Sequence, residues 1–169
     1  MVKKIKTCKR RGFQHMAFLF TLQIFVSPLI TAPFTDNGDG TVTDQKTNLV
    51  WQKCSMGQTN DAICSGTATS ATWANMLTYC NNLTLAGKSV GAWRLPNVNE
   101  LNSIVDETKS SPAIDTTSFP ATIAAMYLSS STKASFGTTV WHIYFLNGSS
   151  SGTDKSSSVN VFARCVSGP

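Results

Sequence analysis

The run Gly91–Leu101, GAWRLPNVNEL, constrains this chain more than any other stretch. Trp93 and Leu95 alternate as at the end of a strand. Pro96 stops the ladder, because its ring nitrogen has no hydrogen to donate. Asn97 is placed to cap a helix by accepting from the Glu100 N–H, and Glu100 to reach back to the Asn97 N–H. Leu101, Ile104 and Val105 supply the apolar stripe of the helix that follows. Arg94 is expected to pair with an acid beside this motif. Trp93, Arg94, Leu95, Pro96, Asn97 and Glu100 therefore read as a fold motif, and the run holds no catalytic pair.

Charge is distributed unevenly. The chain has 169 residues, 14 bases and 9 acids, for a formal net charge of +5. Lys3, Lys4, Lys6, Lys9, Arg10 and Arg11 crowd the first residues, whereas every acid lies beyond residue 35. The remaining bases are Lys46, Lys53, Lys88, Arg94, Lys109, Lys133, Lys155 and Arg164, so the body is close to neutral. No basic stripe with interleaved aromatics runs through it, which excludes nucleic acid as the expected partner. The basic start leads into the apolar run Met16–Ala32. That pattern predicts an export signal over residues 1–32, with a retained N-terminal membrane anchor as the rival reading. Membrane contact is expected only through this segment. Residues 33–169 are expected to form a single domain.

Cysteine usage agrees with export. Apart from Cys8 in the leader, the chain carries Cys54, Cys64, Cys80 and Cys165, an even set suited to an oxidising compartment. Four cysteines allow three pairings. Cys54–Cys64 would close a short loop, and Cys80–Cys165 would tie a helix to the last strand. Each bridge would contribute roughly 3–5 kcal/mol by loop entropy, the longer one more. A zinc site is disfavoured, since there is no CxxC pair and the body has one histidine.

Phe34–Thr35 and Thr41–Thr43 flank the turn Asn37-Gly38-Asp39-Gly40, with a further strand at Leu49–Gln52. Read as a calcium loop, the same segment puts glycine at two of its first three ligand positions, so a structural turn is preferred. Cys54–Thr69 reads as a loop. Trp73, Met76, Leu77, Cys80 and Leu83 share one helical face, with Ser70 or Thr72 as cap and Gly87 as terminator. A second helix is expected over Val98–Asp106, then Pro-punctuated connections at Ser111–Asp115 and Phe119–Pro120. Strands are expected at Tyr127–Thr132, Val140–Leu146 and Val159–Val166. The last two should form a hairpin around a polar, flexible tip, Asn147–Ser158. Trp141, Ile143 and Phe145 should share one face, and Val159, Val161, Ala163 and Cys165 should point inward. The order predicts an α+β fold, two helices packed on a mainly antiparallel sheet, loop-rich and held by two disulfides.

The ordered set FTDNGDGTVTD, TNLVWQKC, YCNNL, WRLPNVNEL, PAID with FP, SSST and the terminal RCV resembles the Lcl C-terminal domain family. The resemblance covers nearly all of residues 34–167. It implies a C-type-lectin-like fold akin to the sulfatase-modifying factor group. In such folds a helix cysteine commonly bonds one on the final strand, which implies Cys80–Cys165. The family's founding example is the tip of a collagen-like bacterial adhesin that forms trimers and binds sulfated polysaccharides. This sequence has no Gly-X-Y repeat, and it carries Ala92 and Leu128 where family members often have Asp and an aromatic residue.

The expected function is an exported bacterial binding or adhesion module, non-catalytic, without cofactor or metal. Its expected partner is a polysaccharide or another surface protein, with contacts in Asn147–Ser158 and Ser55–Thr69. The sequence leaves the oligomeric state open. The alternatives are an enzyme related to the sulfatase-modifying factor group and a purely structural envelope protein. An enzyme would need a free thiol, a base such as His142, or an acid dyad of Glu100 with Asp106 or Glu107. Asn82 and Asn147 begin Asn-X-Ser/Thr sequons, to which no glycosylation is assigned.

Overall fold

The computed structural model describes residues 33–168. The expected export segment, residues 1–32, lies outside them. Among the described residues no helix is long and apolar enough to cross a membrane.

The chain enters through three short strands, β1 (Phe34–Asp36), β2 (Thr41–Asp44) and β3 (Val50–Gln52). Between β1 and β2 the backbone reverses through Gly38 and Gly40, both at positive φ. Gly40 is required twice over. Its φ is +84°, and a Cβ there would stand 2.7 Å from the Asn60 carbonyl oxygen. Asp39 ties the turn by accepting from the Thr41 N–H at 3.1 Å. The chain's last strand, β8 (Val166–Ser167), joins this sheet, giving the antiparallel order β1-β2-β3-β8.

Helix α1 (Trp73–Asn82) buries Met76 and Cys80 on the face that the periodicity marks. Thr72 occupies its N-cap without a side-chain bond. Ser70 instead accepts from the Val161 N–H and donates to the Val161 carbonyl, which fastens the helix approach to a distant strand. Helix α2 (Val98–Ser103) is shorter than the expected Val98–Asp106. Tertiary pairing takes over where it stops: Val105 bridges Ile114, and the Asp106 N–H donates to the Ala113 carbonyl. Those bonds replace the next helical turn.

A second sheet has the order β6-β5-β4-β7, built from β4 (Met126–Lys133), β5 (Phe136–Tyr144), β6 (Ser149–Asp154) and β7 (Val161–Phe162). Three expectations are corrected here. The polar tip Asn147–Ser158 holds a strand, because β6 pairs with β5 in register from Ser149 opposite Tyr144 to Asp154 opposite Thr139. Serine and glycine carry low strand propensity, but they fit an exposed edge against an apolar neighbour. Val159–Val166 is not one strand returning along β5. It divides into β7, parallel to β4, and β8, in the other sheet. Val159 is consequently exposed. The molecule is thus α+β with two four-stranded sheets, and one of its strand pairs is parallel.

Two apolar clusters pack on opposite faces of the β6-β5-β4-β7 sheet. Tyr127 and Ile143 face the first, with Trp51, Leu101, Phe119, Phe145 and Phe162. Leu128 and Val140 face the second, with Met76, Trp93, Leu95 and the Cys80–Cys165 pair. The segment 161–166 runs between them, so Val161, Ala163 and Cys165 join one cluster while Phe162 and Val166 join the other. Arg164, 1% exposed, turns toward the first cluster, as Phe162 and Val166 do. Its guanidinium donates to the Lys53 carbonyl at 2.8 Å and to Thr122 Oγ1 at 2.7 Å, and rests 4.6 Å from the Phe119 ring centroid. Bonds join Cys54 to Cys64 and Cys80 to Cys165. Both suit an oxidising environment.

Candidate functional site

The Gly91–Leu101 run builds a joint between the sheets. Trp93 is fully buried, with its indole N–H on the Leu85 carbonyl at 3.2 Å. Arg94 exchanges both backbone bonds with Val166, each at 2.9 Å. Its guanidinium holds the Glu100 carboxylate through two contacts of 2.7 Å and reaches the Gly168 carbonyl at 3.2 Å. Leu95 is buried, and the Pro96 carbonyl accepts from the Ser130 N–H at 2.7 Å. Asn97 accepts from the Glu100 N–H at 2.9 Å, and Glu100 accepts from the Asn97 N–H at 2.8 Å, completing a capping box. Partial burial pushes the Glu100 carboxyl up, but bonds from Arg94 and Asn97 outweigh it and hold the group below its ordinary value. Glu100 is therefore an anchored anion. It is ion-paired to Arg94 and makes no hydrogen bond to Asp106 or Glu107.

The other expected chemistry is similarly placed. Among the described residues all four cysteines are bonded. His142 is 6% exposed, and its Nδ1 is buried without a partner. Burial first, and the Lys133 charge second, press its pKa below the ordinary value. In the β1–β2 turn, Asp36 accepts from the Gly38 N–H and grips the Lys53 ammonium at 2.6 Å, with Lys53 only 5% exposed. That lysine bond, then the Gly38 bond, lowers the Asp36 pKa. Among the described residues no group of three or more His, Cys, Asp or Glu could hold a metal ion.

A different constellation emerges where α2 packs on β5, beside the start of β6. The capping box sets the start of α2, and Asn99 and Asn102, three residues apart, stand exposed on one side of it. With Val98, Trp141 and Ser150 they line a groove of about 240 Å³. Trp141 shares its face with Ile143, as the alternation implies, but is only half-buried where Ile143 and Phe145 are buried. Trp73 and Trp93 donate their indole N–H groups to carbonyls. Among the described residues the Trp141 indole and the Asn99 and Asn102 amides have no such partner. The Lys133 ammonium rests 4.5 Å from the Trp141 ring centroid. It gets there because β6 carries Gly152, where a Cβ would meet the Lys133 stem at 2.7 Å.

A larger cleft, about 630 Å³, lies near Phe34, Ile104 and Val105. Three of its charged groups are already engaged with one another, since Lys109 sits 3.3 Å from Asp106 and 3.4 Å from Asp115. The Trp141 groove is the better candidate because its polar groups are unengaged and its aromatic ring is accessible. Of its members, only Ser150 lies in a segment where the sequence placed contacts. Asn99 and Asn102 carry one legible signal, an i, i+3 amide pair on the polar side of an amphipathic helix.

Comparison with known proteins adds one finding. No curated protein and no solved structure matches the chain. The family model of the Lcl C-terminal domain matches residues 40–167. That span starts at Gly40 in the first turn and ends in β8, taking in both disulfides and the capped Arg94–Glu100 joint. The chain belongs to the Lcl C-terminal domain family.

Proposed function

We propose that this chain is an exported, C-type-lectin-like binding module that holds polysaccharide in the Trp141 groove and catalyses no reaction. The observation that carries this reading is the half-buried Trp141 beside the unengaged amides of Asn99 and Asn102. A pyranose has an apolar face of C–H groups and a rim of hydroxyls. An indole accepts the first, while short amides, a serine hydroxyl and an indole N–H serve the second. Lys133 adds positive charge at the ring, which favours acidic chains. The groove is open and shallow, as suits an internal stretch of a polymer.

Export is supported by the two disulfides and by the basic-then-apolar start of the sequence. The lectin-like reading is supported by the helix-to-final-segment bridge Cys80–Cys165. Against catalysis stand the bonded cysteines, the capped Glu100, and a His142 with no hydroxyl or carboxylate hydrogen-bonded to it. A thiol oxidation needs a free thiolate, and a hydrolytic mechanism needs a base within reach of its proton.

The test is retention of the unreduced mature domain on heparin and on a neutral glucan, at low and moderate salt. Retention should fall about tenfold or more in Trp141→Ala, with far-ultraviolet circular dichroism unchanged, because stacking residues carry most of such binding. No retention on either matrix at low salt, or undiminished retention in the variant, overturns the reading.

A further inference from the structure

We infer that β6 is a self-pairing edge through which two copies of this chain join their sheets. β6 is the outer strand of the order β6-β5-β4-β7, and the opposite edge, β7, is only two residues long. The Lys155 N–H donates to the Thr138 carbonyl, so the odd-numbered residues of β6 bond toward β5. By alternation, the backbone N–H and C=O groups of Ser150 and Gly152 and the N–H of Asp154 point away from the sheet, while the Asp154 carbonyl accepts from the Ser157 N–H at 3.1 Å. Among the described residues none of those N–H groups has a partner.

Natural edges are ordinarily guarded by proline, lysine, a bulge or a covering element. β6 has none of these. It reads Ser-Ser-Ser-Gly-Thr-Asp, its register with β5 is unbroken across all of its residues, and its first three residues are exposed. Such an edge accepts another strand at small steric cost.

The occupant is a second copy because the strand is complementary to itself. Outward-pointing residues must face one another, which limits an antiparallel self-pairing to registers centred on a single residue. Centred on Ser151, the pairing sets Ser150 opposite Gly152 and Ser149 opposite Thr153, so every facing side chain is small and uncharged. Asp154, whose carboxylate is held back by the Ser156 N–H and Oγ, falls opposite Gly148. Lys155 falls opposite Asn147. No like charges meet, which is the electrostatic requirement for a two-fold interface. The axis is normal to the sheet, so both Trp141 rings, in register with Gly152 one strand from the joint, open on the same side. β5 of one copy lies three strand spacings, roughly 14 Å, from β5 of the other.

Cysteine cross-linking reads the register directly. Across the axis, Ser151 faces its own counterpart in a non-hydrogen-bonded pair with Cα atoms roughly 4.5 Å apart, inside disulfide reach. Residue 149 lies roughly 14 Å from its counterpart. Ser151→Cys should therefore form a covalent dimer in air, at least tenfold faster than Ser149→Cys or Thr153→Cys. Sedimentation of the unmodified protein should show a dimer that Ser151→Lys, placing two ammonium groups at the axis, converts to monomer with its circular dichroism unchanged. A monomer at the concentrations used for cross-linking, or Ser151→Cys reacting no faster than its neighbours, overturns the inference. A dimer that Ser151→Lys leaves intact also overturns it, since the contact would then lie elsewhere. None of these readouts depends on glycan binding.

Discussion

Removing the two disulfides separately should expose how differently they act. Cys54–Cys64 spans 10 residues and Cys80–Cys165 spans 85. In the loop-entropy model, cross-linking removes about 2.1 + 1.5R ln n cal/mol/K from the unfolded chain, about 2.7 kcal/mol for the short loop and about 4.6 kcal/mol for the long one. All four cysteines are buried; Cys80–Cys165 joins α1 to the segment 161–166, whereas Cys54–Cys64 closes one local loop. Replacing each pair by alanine should therefore cost more for Cys80/Cys165, by about 2 kcal/mol from loop length alone. Urea unfolding followed by tryptophan fluorescence measures the difference. The long-bridge variant should also show a larger m-value, because its unfolded chain exposes more surface. If both variants lose the same stability, or the short bridge matters more, unfolded-chain constraint is not what these bridges supply. Native-state contacts would then have to explain them.

Glu100→Ala removes a half of the capping box and the acceptor of Arg94, and should cost about 1.5–2.5 kcal/mol. The pair is partly solvated, so the cap contributes the larger share. Glu100→Gln keeps an acceptor for the Asn97 N–H and should lose only about half of that, and a double-mutant cycle with Arg94→Ala isolates the ion pair. Gly40→Ala should cost about 2–3 kcal/mol, measured as a lowered urea midpoint, because positive φ and the Asn60 carbonyl both oppose a Cβ. Stability should begin to fall as pH drops below the ordinary His142 value of 6.5. The folded pKa lies below the unfolded one, so the unfolded chain takes up the proton first and gains as pH falls toward the folded value. The lowered Asp36 and Glu100 carboxyls act in the same direction, but only below their ordinary values of 3.8 and 4.5. His142→Asn should flatten the upper limb and leave the lower one, as read from melting temperature across about pH 2 to 8.

Where local chemistry decides, the fold was legible before any coordinates. The capping box at Asn97 and Glu100 depends on residues three apart, and the buried face of α1 on a repeat of three and four. The turn at Gly38–Gly40 depends on the one residue type that tolerates positive φ. Trp93 and Leu95 are buried, and Arg94 pairs with an acid from its own motif. These features follow from short-range geometry and hold wherever the segment sits.

Partnership between distant segments is another matter. Val159–Val166 has the composition of one strand, yet 161–162 pairs with β4 and 166–167 with β3, because the segment lies between two apolar clusters that bury both of its faces. Ser149–Asp154 has the composition of a loop and is a strand because β5 offers it a ladder. The candidate groove likewise had no signature in any single segment. Asn99 and Asn102 come from a helix, Trp141 and Ser150 from neighbouring strands, and Lys133 reaches the ring from β4 over Gly152. By itself the sequence determined the capped joint, the helical face and the turns, since each is a contest among a few neighbouring dihedrals and hydrogen bonds. Only the tertiary structure decided which strand bonds to which and which side chains meet at the surface, because both are settled by burial summed over segments far apart in the chain.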